Sequence, residues 1–202
     1  TLGYEALEQL PKEPHDEHIL SLDKTKDVPA LAEFAGSHEV LMSWKLDGLT
    51  VVLTYRNGVL EKAVTRGNGE VGEVITNNAR VFQNIPLHIS YQGELILRGE
   101  AVITYSEFEK INEEIGEADG QYKNPRNLCS GSVRQLNNEI TAKRHVRFYA
   151  FALVRADGVE FDNLKSTQFD WLRAQSFDVV EYYRVTSEKN KKSVAEFEEK
   201  IQ

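Results

Sequence analysis

The chain has 202 residues, 41% of them apolar and 28% charged, which is the balance of a soluble globular protein with room for a sizeable core. A formal net charge of −8 argues against nonspecific polyanion binding, and no apolar run approaches the ~20 residues of a membrane span. The single cysteine, Cys129, leaves no internal disulfide, which suits a reducing cytoplasm.

Thr1 to Leu10 places Tyr4, Leu7 and Leu10 at helical spacing, and Pro11 to Pro14 breaks that pattern. His15 and His18 in HDEH have a spacing that some metal sites use, but no partner cluster supports that role; the run reads as a polar connector and no metal site is assigned. The apolar run Ile19 to Leu22 ends at Asp23. A helix is predicted over Val28 to Ala35, with Asp27 as N-cap, Pro29 in the first turn and Gly36 as stop.

The chemistry is most legible between Leu41 and Asn78. A strand over Glu39 to Trp44 delivers Lys45 at its end, and Lys45 and Asp47 share a face if the backbone stays extended. Gly48 lacks a side chain, which would let a flat or phosphorylated ligand approach the backbone. LTVVLTYR and VLEKAVTR flank Asn57-Gly58, a pair suited to a type I′ hairpin turn. The second strand runs into Thr65-Arg66-Gly67-Asn68-Gly69. A strand-end lysine, a carboxylate and an arginine among glycines make a candidate phosphate site; an exposed lysine beside an Asp-Gly turn is the alternative. Val71 to Arg80 reads as a short helix.

Beyond Gln92-Gly93, ELILRGEAVIT is a strand that holds Glu100 among apolar residues. A carboxylate there is costly to bury without a partner, so either Arg98 pairs with it or a ligand hydroxyl does. A helix from Ser106 to Ile115 carries Phe108, Ile111 and Ile115 on one stripe.

Tyr122 to Arg147 reverses the global charge. Lys123, Arg126, Arg134, Lys143, Arg144 and Arg147 stand against Glu139 alone, a local charge of +5. Ser130, Gly131 and Ser132 are small enough for close approach. The segment is either a phosphate-neutralising site or a solvated basic face. Arg147 to Val154 is a strand whose alternation puts Tyr149 and Phe151 on one face, for base stacking or for core packing. A helix over Lys165 to Gln175 with Phe169 and Leu172 inward, a strand over Asp178 to Tyr182 and a helix over Ser193 to Ile201 complete the chain. The sequence holds no Walker loop, no Rossmann glycine pattern and no internal repeat.

Six motifs in one order carry a family resemblance: SLD at 21–23, KLDG at 45–48, TRGNGEVGE at 65–73, RGE at 98–100, NPRN…GSVRQL at 124–136 and ITAKR…FYAF at 140–151. Together they resemble the adenylation domain of bacterial NAD+-dependent DNA ligases. The resemblance implies an α+β fold, a nucleotidyltransferase (ATP-grasp-like) core of antiparallel sheets flanked by helices. It implies that residues 1–18 are a residual linker from a missing N-terminal domain. Residues 19–202 would be a partial adenylation domain, with downstream strands and an OB-fold absent.

The activity implied is attack of Lys45 on the α-phosphate of NAD+, with Mg2+ as cofactor and Asp47 beside the lysine. The lysyl-AMP so formed would serve the sealing of nicked double-stranded DNA. Among cofactor-binding positions, Ser21 and Leu22 match the segment lining the nucleotide pocket, with Gly48 and Arg66 near the phosphates. Glu100 matches the ribose-binding residue, and Phe151 the aromatic that stacks on adenine. Arg126, Arg134 and Arg144 match positions serving phosphates or nicked DNA, and a cytoplasmic monomer is expected. Three departures stand out: Ser43 replaces a common glutamate, Asn68 an aspartate, and Leu128-Cys129-Ser130 a run of alanines. An ATP-dependent or RNA ligase of the same superfamily, or a noncatalytic nucleotide-binding module, are the alternatives. As it stands, the 202-residue chain is expected to be weakly active or inactive.

Overall fold

In the computed structural model the described residues are 10–14, 40–43, 46–161 and 164–185. In chain order they form strands β1 (Lys12–Pro14), β2 (Val40–Ser43), β3 (Leu49–Arg56), β4 (Val59–Thr65) and β5 (Val71–Glu73), then helix α1 (Thr76–Ala79) and strand β6 (Leu95–Val102). Helices α2 (Tyr105–Ile115), α3 (Pro125–Val133) and α4 (Asn138–Ala142) follow, then strand β7 (Arg147–Ala156), helix α5 (Lys165–Ala174) and strand β8 (Tyr182–Val185).

The hairpin organises the sheet. Asn57 and Gly58 both have positive φ, 53° and 75°, as a type I′ turn demands, and they join β3 to β4 in antiparallel register. β6 pairs on the other side of β3, and β7 pairs with β6, giving the order β4-β3-β6-β7 with every pairing antiparallel. Two short antiparallel ribbons, β1 with β5 and β2 with β8, accompany this sheet. The architecture is a mixed one of antiparallel sheets and few helices.

One face of the four-stranded sheet is the core. Val51, Leu53, Tyr55, Leu95, Leu97 and Ala101 are wholly buried there, and Phe148 and Ala150 extend the layer across β7. Helices cover it because each has one apolar stripe: Phe108 and Ile111 on α2, Leu128 and Val133 on α3, Phe169 and Leu172 on α5. The Tyr55 hydroxyl donates to the Pro86 carbonyl at 2.5 Å, which satisfies its one polar atom, and burial drives its phenol far above the ordinary range. Buried Asn78 donates through Nδ2 to the Gln135 carbonyl at 2.8 Å and to Thr141 Oγ1 at 3.0 Å. Thr141 in turn donates to the Ser132 carbonyl at 2.7 Å, so one polar network ties α1, α3 and α4 together.

Two expectations need correction. Val71 to Arg80 is not one helix, because Val71–Glu73 satisfies its main chain by pairing with β1, and only Thr76–Ala79 turns helical. Pro11 to Pro14 is therefore half of a ribbon rather than a mere break. The strand expected from Asp178 begins later, at Tyr182; Val179 instead makes a single parallel bridge to Ala150 at the sheet edge. The helices expected near Val28–Ala35 and Ser193–Ile201 fall outside the described residues, as do His15, His18 and, Leu10 apart, the helically spaced stretch from Thr1. Among the described residues no helix is long and apolar enough to cross a membrane.

Candidate nucleotide site

A row of residues crosses the sheet. Thr50 on β3 stands opposite Glu100 on β6, and Glu100 stands opposite Tyr149 on β7. Just past β4, the Arg66 amide donates to the Thr50 carbonyl at 2.9 Å, so Arg66 joins the same row. Cross-strand partners share a face, and Thr50 Oγ1 donates to Glu100 Oε1 at 2.9 Å. On β3 and β6 this face lies opposite the core.

The next step along the sheet brings in the chain that follows Lys45. Gly48 is buried, and a Cβ placed on it would run into the Ala101 carbonyl of β6. The glycine is thus required by a strand packed against it, a demand that stands apart from any ligand. Its N–H, with the Thr50 hydroxyl, hydrogen-bonds the Glu100 carboxylate. Desolvation is the largest influence on that carboxyl and raises its pKa; the two hydrogen bonds and the Arg126 charge pull it down, and Asp47 pushes it up. Asp47 itself is exposed, 4.0 Å from the Arg126 guanidinium at the first turn of α3.

Arg98 does not make the salt bridge that would have explained Glu100. It lies one pleat further along the same face, opposite Val52 and Ala152, neither of whose side chains can accept a hydrogen bond. Its Nε is buried without an acceptor among the described residues. The Arg144 guanidinium lies 5.9 Å over the Tyr122 ring, and its Nη1 is likewise buried without an acceptor. Buried donors of this kind cost free energy until an acceptor arrives.

The remaining expected residues are dispersed more widely. Phe151 is the extra residue of a β-bulge, since Gly99 pairs with Ala150 and Arg98 with Ala152. Strict alternation fails there, and both Tyr149 and Phe151 are half-buried and packed against the core. Tyr149 also lines a shallow cleft of about 360 Å³ with Arg173 and Asp178. Arg134 ends α3 and pairs with Glu73 at 2.7 Å, away from the Glu100 row in the chain's connectivity. Lys45, Ser21 and Leu22 lie outside the described residues. Thr50 escaped the sequence reading, because a cross-strand partner is set by register and not by any local motif.

Two departures have local explanations. Asn68 Oδ1 accepts from the amides of Glu70 and Val71 at 2.9 and 2.8 Å, a turn-holding role that an aspartate would fill equally. Leu128 and Cys129 are wholly buried, and the Cys129 thiol donates to the Ala101 carbonyl at 3.1 Å. Burial pushes that thiol up to about 12. The larger side chains here fill the core. Beside them, Ser132 is buried and donates to the Leu128 carbonyl, and a Cβ on half-buried Gly131 would meet the Tyr122 hydroxyl at 2.8 Å.

Comparison with known proteins places this arrangement. A family model described as the NAD-dependent DNA ligase adenylation domain matches residues 7–202. A DNA ligase of Lachnoclostridium phytofermentans is 62% identical over 200 residues, covering 99% of this chain and 31% of the relative. One from Ruminiclostridium cellulolyticum is 59% identical over 201 residues, covering 100% and 31%. One from Desulfitobacterium hafniense is 40% identical over 195 residues, covering 92% and 29%. The chain thus spans about 31% of the length of the curated relatives it matches best here. With nearly its whole length matched, the chain belongs to the NAD-dependent DNA ligase adenylation domain family.

Proposed function

We propose that this chain carries the self-adenylation chemistry of an NAD+-dependent DNA ligase, with Lys45 as the nucleophile. The observation that carries the reading is the Glu100 carboxylate, held on the open sheet face by Thr50 and by the Gly48 amide three residues past Lys45. That linkage fixes a ribose-binding acceptor to the backbone that bears the nucleophile, which is the positioning a phosphoryl transfer requires. A two-sheet nucleotidyltransferase core, ATP-grasp-like, with AMP between the sheets, is part of the same proposal. So is the division into a linker over 1–18 and an adenylation domain over 19–202.

In this mechanism the neutral Lys45 amine attacks the α-phosphorus of NAD+. The N–P bond forms as the P–O bond to nicotinamide mononucleotide breaks, and the amine's proton passes to solvent. A free lysine has a pKa of ≈ 10.4, so only about one in 10³ is the amine at neutral pH, and nearby cations favour that form. Arg66, in the row, and Arg126, whose charge reaches Glu100, supply positive charge for the phosphoryl oxygens. Phe151 offers a face for adenine, and Ser21 and Leu22 line the pocket. AMP then passes to the 5′-phosphate of nicked duplex DNA, and the 3′-hydroxyl displaces it as the strand is sealed. Arg126, Arg134 and Arg144 bind the DNA phosphates.

The residues present fit such ligands. Arg98 Nε and Arg144 Nη1 are buried donors awaiting acceptors, as an anionic ligand would supply. No cluster of three His, Cys, Asp or Glu side chains occurs among the described residues. Mg2+, when bound, would be carried on the nucleotide phosphates and would offset phosphoryl charge.

Exposure of the protein to NAD+ labelled in its adenylate, followed by peptide mapping on a mass spectrometer, tests the proposal. AMP should appear on Lys45, only weakly with the 202-residue chain by itself, and be lost in Lys45→Arg. Label on another lysine, or labelling by ATP and not by NAD+, would sink it. Calorimetry with AMP run alongside separates a binding module from a slow enzyme.

A further inference from the structure

We infer that Glu73 is a positioning residue, which holds Arg134 in the orientation that receives a phosphate oxygen. The inference rests on the reading of Arg134 as a phosphate contact and assigns a role to a residue that reading leaves out.

The two partners differ in how firmly they are held. Glu73 ends β5, with Lys12 of β1 opposite it in register. Its amide donates to Thr65 Oγ1 at 2.9 Å, and the next amide, Val74, donates to the Pro11 carbonyl at 2.7 Å. The backbone under this carboxylate is therefore pinned on both sides, and the side chain is only 22% exposed. Arg134 is the opposite case: it follows the last turn of α3, its backbone has left helical geometry, and its side chain is 51% exposed. A carboxylate on a pinned backbone thus meets a longer, half-exposed side chain, Oε1 to Nη2 at 2.7 Å.

Stability is a weak reason for such a pair. Ion pairs at this exposure add little to folding, since solvent screens them and ordering two side chains costs entropy. Orientation is a better one. An arginine already held in one rotamer loses less freedom on meeting a phosphate, and a guanidinium has five donors, so one carboxylate does not exhaust it. Arg126 and Arg144 have looser neighbours, Asp47 at 4.0 Å and the Tyr122 ring at 5.9 Å, so Arg134 is the most firmly held of the three expected phosphate contacts.

DNA and the dinucleotide both carry such a phosphate, and the test separates them. Binding of a nicked duplex with a 5′-phosphate, and of NAD+, is measured for the wild type, Glu73→Ala, Glu73→Gln, Arg134→Ala and the double alanine variant. Arg134→Ala should weaken one of the two ligands about tenfold, and for DNA should flatten the salt dependence by about one phosphate contact. Glu73→Ala should weaken the same ligand roughly three- to tenfold, as expected for one side chain left unordered. Glu73→Gln keeps an acceptor in place and should stay within about twofold of the wild type. The double variant should be no worse than Arg134→Ala alone. Tighter binding by both Glu73 variants would make Glu73 a competing counter-ion and overturn the inference. So would losses that simply add. If Arg134→Ala binds both ligands normally, the phosphate reading of Arg134 falls first and this inference with it.

Discussion

The two faces of β6 divide the molecule's work. On one, Leu95, Leu97, Gly99 and Ala101 are buried against helices and neighbouring strands; on the other, Ile96, Arg98, Glu100 and Val102 are each only half-buried. The first face leaves no room even for a methyl group, since a Cβ on Gly99 would press into the Phe148 ring and the Tyr149 carbonyl. The second tolerates a desolvated carboxylate and a buried arginine nitrogen without an acceptor. Residues one position apart on a strand therefore answer to different demands: one face contributes stability, and the other holds polar groups at some cost so that a ligand can meet them.

Substitutions on the core face should be felt in folding and little elsewhere. Leu97→Ala removes a wholly buried side chain at the centre of the sheet and should cost about 3–5 kcal/mol in urea unfolding. Gly99→Ala should cost about 2–3 kcal/mol, because the obstacles are a buried ring and a backbone carbonyl, neither free to move aside. If either variant unfolds like the wild type, the two faces are not as distinct as their packing implies.

How much of this was legible beforehand follows from which interactions are local. The hairpin was, because Asn57-Gly58 dictates its own turn. The stripe of Phe108 and Ile111 on α2 was too, because helical spacing repeats within a dozen residues. The β1–β5 ribbon was not: Lys12 meets Glu73 across sixty residues of chain, and nothing in VGE itself rules out a helical turn. The same holds at the site. Glu100 stood out as a carboxylate in an apolar strand, but its actual partners, Thr50 and the Gly48 amide, depend on register. The Phe151 bulge likewise breaks an alternation that the sequence by itself suggests.

Glu100 offers the finest test of the comparison, with the smallest effect on folding. Its carboxyl is raised, chiefly by desolvation, so the native chain holds this proton more tightly than the unfolded chain does. In the window between the ordinary glutamate value and the raised one, the native state binds more protons, and stability must fall as pH climbs through it. Above that window the penalty is constant. Glu100→Gln should abolish this slope. At pH 7 it should change stability by less than about 0.5 kcal/mol, in the stabilising direction, because glutamine can still accept from Thr50 Oγ1. Affinity for AMP should behave in the opposite sense. A ribose hydroxyl donates best to the ionised carboxylate, so binding should strengthen as pH rises through the same window, and Glu100→Gln should weaken it about tenfold and remove its pH dependence. Thermal melts and AMP titrations across pH, on the same two proteins, measure both arms. A large loss of stability with unchanged AMP affinity would return Glu100 to the ranks of structural residues and erase the distinction between the two faces.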